Sequence, residues 1–213
     1  MITDLSPDQV KVLDIIGSDS DIANCARVCT NGLKVFQDYF LEENVVDSLL
    51  RRLIEKGHTS PFEFAGLTIS IKCPIFVARQ WMRHRTFRYL ERSGRYCTSL
   101  NEVYLPDKLK QDEEAITLIR SLLGKYTTLI EQGMSKQEAR IILPVGMYTE
   151  FVFQADLHNL LHFLKLRLHP SAQPEMRFYA QCVADRVKNY FPRTWKWFNK
   201  YYLEKNNDRE TED

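Results

Sequence analysis

Two stretches of this chain change hydrophobic period, and they constrain its fold more than anything else in it. In the first, Leu67, Ile69, Ile71 and Cys73 alternate with Thr68, Ser70 and Lys72. A period of two marks a strand with one buried face. Pro74 follows, and proline suits the first turn of a helix, where a missing N–H leaves nothing unsatisfied. PIFVARQWMRHR (74–85) then reads as helical, with Gln80 and Arg83 on one face. In the second stretch, MYTEFVFQ (147–154) is strand-like. Asp156 can cap LHNLLHFLKLRLH, whose Leu157, Leu160, Leu161, Leu164 and Leu168 form one apolar stripe. Helices and separated strands, without repeated βαβ units, predict an α+β domain.

The other elements follow from local signals. Ser6-Pro7 opens a short helix, and DIANCARVCT (21–30) forms another, with Cys25 and Cys29 one turn apart as core packing. Val45, Val46, Leu49, Leu50, Leu53 and Ile54 recur at helical spacing until Gly57 stops the run. TFRYLERSG (86–94) breaks the helical pattern, and RYCTSL (95–100) reads as a second strand. A long helix is expected at about 112–132, ending near Gly133. SKQE (135–138) is a capping box that opens a helix through QEARIIL, ended by Pro144. The last helical region runs from Pro174 through TWKWFNKYY, whose aromatics serve the core or a subunit interface. One domain is expected over 1–205, with a solvated tail over 206–213.

Composition excludes several functions. The chain has 213 residues, 44% of them hydrophobic and 27% charged, as in an ordinary soluble globular protein. No apolar run approaches the roughly 18 residues a membrane span needs, and no charged-then-apolar leader is evident. Five cysteines, an odd number without a CxxC pair, fit reduced thiols in a cytoplasmic protein.

Against this background, RQWMRHRTFRYLERSGRY (79–96) stands out. It holds six arginines, His84 and four aromatics, with Glu91 as the single acid, in a chain of net charge +1. A general nucleic-acid binder shows a basic excess across the domain. A local excess points to a compact anion instead. No GxGxxG, GxxxxGK[ST] or GxSxG occurs, so side chains must hold any phosphate. Arginine suits that role through its planar fork of donors, and Ser93-Gly94-Arg95 adds a hydroxyl and an unobstructed backbone. His158 and His162 lie one turn apart, but HNLLH lacks the glutamate of HExxH. A solvated helix face is the plainer account, and no metal is expected.

The block also resembles the signature RHRxxSxNxxSxRY of the flavin-dependent thymidylate synthases. RHRTFRYLERSGRY (83–96) matches at Arg83, His84, Arg85, Ser93, Arg95 and Tyr96, with Arg88 and Leu90 where the signature has Ser and Asn. GHTSPFEF (57–64), PIFVARQWMRHR, ARIILP (139–144) and the stretch from FLKLR to Glu175 extend the resemblance. It implies helices around a mainly antiparallel sheet and a homotetramer with active sites between subunits. The implied reaction converts dUMP to dTMP, with methylenetetrahydrofolate as carbon donor and FAD reduced by NADPH. It implies flavin contacts from His58, Ser60, Arg83, His84, Arg85 and Glu91. It also implies flavin contacts from a further segment, where Asp156, His158 and His162 stand. Nucleotide contacts are implied for Gln80, Arg83, Glu91, Ser93, Gly94, Arg95, Arg140 and Arg167, with Arg167 near the pyrimidine as the catalytic charge. No membrane or nucleic-acid partner is expected. Two alternatives stay open at this point: C5 modification of another pyrimidine nucleotide such as UMP, and a nucleic-acid-binding module built on the Arg/aromatic block.

Overall fold

The structure, a computed structural model, describes residues 1–36, 40–98 and 101–204. The tail expected at 206–213 lies outside the described residues. In chain order the main elements are β1 (Val10–Ile16), α1 (Asp19–Asn31), α2 (Glu43–Lys56), β2 (Gly66–Pro74), α3 (Ile75–Trp81) and β3 (Arg88–Glu91). They continue with α4 (Asp107–Lys110), α5 (Glu113–Glu131), α6 (Lys136–Ala139), β4 (Tyr148–Asp156), α7 (Leu157–Arg167), α8 (Pro174–Tyr190) and α9 (Pro192–Phe198). The four strands form one antiparallel sheet in the order β1-β2-β4-β3, so the fold is α+β.

Both period changes are real. In β2, Leu67, Ile69, Ile71 and Cys73 are buried and the residues between them are partly open. β4 repeats the alternation with Phe151, Phe153 and Ala155 buried. Asp156 then starts α7 as its N-cap, accepting from the Asn159 backbone N–H at 2.9 Å and from Asn159 Nδ2 at 2.7 Å. In α7, Leu157, Leu160, Leu161 and Leu164 are buried. Gly57 ends α2 at φ 69°, the left-handed conformation that costs glycine least.

The chain divides into two compact units. One comprises Met1–Lys11, Ser70–Arg85 and Tyr89–Phe153. Its buried Val103, Leu105, Ile116 and Met147 pack with Ile75, Ile119 and Leu143, and Trp81 meets Phe151 and Phe153 at ring-centroid distances of 5.6 and 5.4 Å. The other comprises Val12–Ile69, Thr86–Arg88 and the stretch starting at Gln154. There α7 packs on α8, α8 on α9, and α9 on α2. The buried carboxylate of Asp19 caps α9, accepting from the N–H groups of Arg193 (2.8 Å) and Thr194 (3.2 Å) and from the Thr194 hydroxyl (2.6 Å).

Several expectations are corrected. The strand expected at 95–100 is a turn through its described part, because the N–H groups of Tyr96 and Cys97 both donate to the Ser93 carbonyl, at 3.2 and 2.9 Å. Ser99 and Leu100 lie outside the described residues. The strand falls earlier, at β3, where the Arg92 N–H donates 2.8 Å to the Glu150 carbonyl of β4. The helix after Pro74 stops at Trp81, so Arg83, His84 and Arg85 follow it. The helix opened by Ser135 ends at Ala139 and tightens into a 3₁₀ turn over Arg140–Ile142. The last helical region divides at Phe191, which serves as both the C-cap of α8 and the N-cap of α9. Cys25 is half-buried but Cys29 is exposed, so that pair is not core packing. β1 carries no expectation from the sequence, and Leu13, Ile15 and Ile16 on it are exposed.

Candidate active site

The turn after β3 carries Ser93, Gly94 and Arg95, and the Arg95 N–H donates 3.2 Å to the Ser93 hydroxyl. Arg140, 46 positions further along the chain, packs directly on this turn. A Cβ at residue 94 would lie 3.0 Å from Arg140 Nη1 and 3.2 Å from its Cδ, so any larger residue would press that guanidinium out of its present position. Gly94 and Arg140 line a cavity of about 130 Å³ with Arg92, Cys97, Tyr148 and Thr149.

The arginines of the block do not behave alike. Arg92 is paired with Glu150 at 2.8 Å and donates to the Thr98 carbonyl at 3.2 Å. Arg88 reaches Gln154 Oε1 at 3.4 Å. Arg95 meets a neutral acceptor, Gln137 Oε1, at 3.0 Å, and its guanidinium carbon stands 5.3 Å from the Tyr96 ring centroid. Arg83 and Arg85 are exposed after α3, beside buried His84 and half-buried Gln80. Tyr89 anchors that corner by donating to the carbonyls of Trp81 (2.8 Å) and His84 (3.1 Å). Burial pushes the Tyr89 phenol well above its ordinary range. Glu91 accepts 2.8 Å from the hydroxyl of Thr149. Burial, with the nearby Glu91 charge, also pushes the Cys73 thiol far up.

In the second unit, His158 and His162 project from α7 into a cleft of about 160 Å³, shared with Thr59, Lys165, Phe198 and Tyr202. His162 is exposed and His158 half-buried, so the face is partly solvated, as expected, and it also borders this cleft. His58 and Ser60 flank Thr59 and are exposed. The floor is apolar, with Ile54, Phe62 and Leu161. The rim offers two imidazoles, a hydroxyl and the ammonium of Lys165, which stands 5.0 Å over the Tyr202 ring. Such a lining can hold part of an aromatic or anionic ligand. Arg167 lies half-buried in the last turn of α7.

Thr149, Gln137 and Lys165 escaped the sequence reading. Gln137 sits inside the recognised capping box and Thr149 on the recognised strand, but nothing local distinguishes either from its neighbours. Among the described residues, no group of three or more His, Cys, Asp or Glu could hold a metal ion, and no helix is long and apolar enough to cross a membrane. A groove of about 690 Å³ runs over the strands of the first unit. Two of its cations are paired, Lys72 with Glu102 at 2.7 Å and Arg92 with Glu150 at 2.8 Å.

A family model described as thymidylate synthase complementing protein matches residues 11–193. A flavin-dependent thymidylate synthase of Thermus thermophilus is 40% identical over 214 residues, covering 92% of this chain and 77% of the relative. The chain belongs to the flavin-dependent thymidylate synthase family. That family of methyltransferases includes a Pseudothermotoga lettingae member that is 38% identical, covering 92% of this chain and 91% of the relative. Among solved structures, the UMP/dUMP methylase PolB of Streptomyces cacaoi, bound with 5-Br dUMP, superposes with a TM-score of 0.85 at 26% identity. The match covers 91% of this chain and 95% of PolB.

Proposed function

We propose that this chain converts dUMP to dTMP, with methylenetetrahydrofolate as the carbon donor and FAD, reduced by NADPH, as the redox cofactor. The observation that carries the reading is the seat of Arg140 on Gly94. It joins Ser93-Gly94-Arg95 of the signature to ARIILP, a separate stretch of the resemblance, at one cavity. In this reading Ser93, Gly94, Arg95 and Arg140 hold the 5′-phosphate, and Gln80, Arg83 and Glu91 complete the nucleotide contacts. Arg167 presents its charge to the pyrimidine, where it stabilises the negative charge that builds as C5 becomes nucleophilic. His58, Ser60, Arg83, His84, Arg85, Glu91, Asp156, His158 and His162 hold the flavin, and the cleft beside α7 supports that assignment by its chemistry. When bound, FAD supplies the hydride chemistry for which no side chain is equipped. The working form is a cytoplasmic homotetramer with active sites between subunits, and light scattering that finds a monomer at micromolar concentration would refute the shared sites.

A second reading keeps the chemistry and widens the substrate to UMP. PolB, described as a UMP/dUMP methylase, favours it, as do Arg88 and Leu90 at two signature positions. The relatives at 34–40% identity are named thymidylate synthases, which favours dUMP. An anaerobic assay with FAD, NADPH, methylenetetrahydrofolate and equal dUMP and UMP, read by product mass, tests both. The expected product is dTMP. A methylated ribonucleotide as the main product would overturn the dUMP assignment, and no methylated nucleotide at all would overturn the function.

A further inference from the structure

Two segments of the first unit are tied at three points. Arg95 Nε donates to Gln137 Oε1 at 3.0 Å. Lys136 Nζ donates to the Tyr96 carbonyl at 3.1 Å. Arg140 lies against Gly94. One segment is the turn that follows β3. The other is α6 with the residue after it, a piece that Ser135 caps by accepting from the Glu138 N–H. Three ties within five residues on each side make α6 the backing of the turn.

The Gln137 tie has a particular chemistry. A guanidinium can present two kinds of paired donors to a phosphate: the edge that includes Nε, or the end formed by its two terminal amino groups. Gln137 occupies Nε and so leaves the terminal end. Its amide oxygen is a neutral acceptor, so it orients the fork without cancelling its charge. A carboxylate at that point would compete with the phosphate. The Tyr96 ring lies 5.3 Å from the Arg95 guanidinium carbon and limits its swing on another side.

We propose that Gln137 is a positioning residue for Arg95, holding Nε so that the terminal amino groups meet the phosphate of a nucleoside monophosphate. This rests on the reading of Ser93, Gly94 and Arg95 as phosphate ligands. It also gives α6 a role in substrate choice, since a prealigned fork favours dUMP over its nucleoside.

Gln137→Met keeps the side-chain length and removes the acceptor. Gln137 is exposed, so the variant should fold as the wild type does. Calorimetric titration of the full chain with dUMP and with deoxyuridine reads the effect. We expect dUMP to bind roughly three- to ten-fold more weakly, the size of effect one ordinary solvent-exposed hydrogen bond has. Deoxyuridine binding and kcat at saturating dUMP should not change. In an Arg95→Ala background, Gln137→Met should have no further effect on dUMP, because the residue acts through Arg95. The proposal is overturned if Gln137→Met binds dUMP as tightly as wild type while Arg95→Ala does not. Equal losses for dUMP and deoxyuridine, or an undiminished loss in the Arg95→Ala background, would overturn it too. Wild-type protein that fails to bind dUMP would instead remove the nucleotide-site reading on which the proposal rests.

Discussion

The hydroxyl of Thr149 donates a 2.8 Å hydrogen bond to Oε1 of Glu91, joining β4 to the end of β3. Thr149 is 8% exposed and Glu91 is open to solvent, so a buried group fixes the direction of an accessible carboxylate. Thr149→Val keeps the shape and removes the donor. The expected loss of stability is about 1 kcal/mol, the size of an ordinary hydrogen bond and not of one to a buried charge, because Glu91 remains hydrated. The expected loss in dUMP or FAD affinity is larger than the Tm shift suggests, and paired melting and titration experiments separate the two.

Gly94→Ala tests the seat of Arg140. The atoms a new Cβ would meet, Nη1 and Cδ, belong to a flexible side chain and not to backbone, so Arg140 should move while the fold persists. We expect dUMP affinity to fall roughly ten-fold or more, about 1.4 kcal/mol, with Tm nearly unchanged. Unchanged affinity would place the phosphate elsewhere.

Cys97 is exposed and lines the same cavity as Arg140. Burial pushes the thiols of Cys73, Cys182 and Cys25 up, Cys73 most, which keeps them protonated and slow to react. Near neutral pH an alkylating reagent should therefore label Cys97 and exposed Cys29 first. Mass mapping should show dUMP protecting Cys97 and leaving Cys29 unprotected.

The Tyr89 phenol is raised by burial, so folded protein resists its ionisation. An unfolded tyrosine ionises near its ordinary value of about 10. Above that pH the unfolded state sheds a proton that the folded state keeps, and stability falls as pH rises. Below it, Tyr89→Phe should be the less stable protein, by roughly 1 kcal/mol for the lost hydrogen bond that its one O–H shares between the carbonyls of Trp81 and His84. Denaturation at pH 8 and pH 11 should show this gap narrowing at the higher pH.

Arg167→Ala separates binding from chemistry. If its charge acts as the pyrimidine becomes electron-rich, kcat should fall at saturating dUMP. Lysine at 167 should restore only part, since an ammonium lacks the planar fork. Wild-type turnover at saturation in Arg167→Ala would refute the catalytic role.

The sequence by itself determined what is encoded within a few residues. Ser6, Ser135 and Asp156 cap the turns that follow them because a side-chain oxygen reaches an N–H two or three residues on. The alternation of β2 and β4 and the stripe of α7 could be read because burial follows local period. The Arg83–Tyr96 signature led to the family for the same reason: it is contiguous. Only tertiary structure decided that Arg88–Glu91 is a strand and that residues 94–96 turn, because a four-residue strand depends on the partner it pairs with, here β4. The contacts that build the candidate site lie beyond local reach as well. Arg140 meets Gly94, Gln137 meets Arg95 and Thr149 meets Glu91 across 42 to 58 residues of chain. Such meetings are set by the order in which strands pair and by how α6 packs back on the turn, neither of which leaves a periodic trace in the residues themselves.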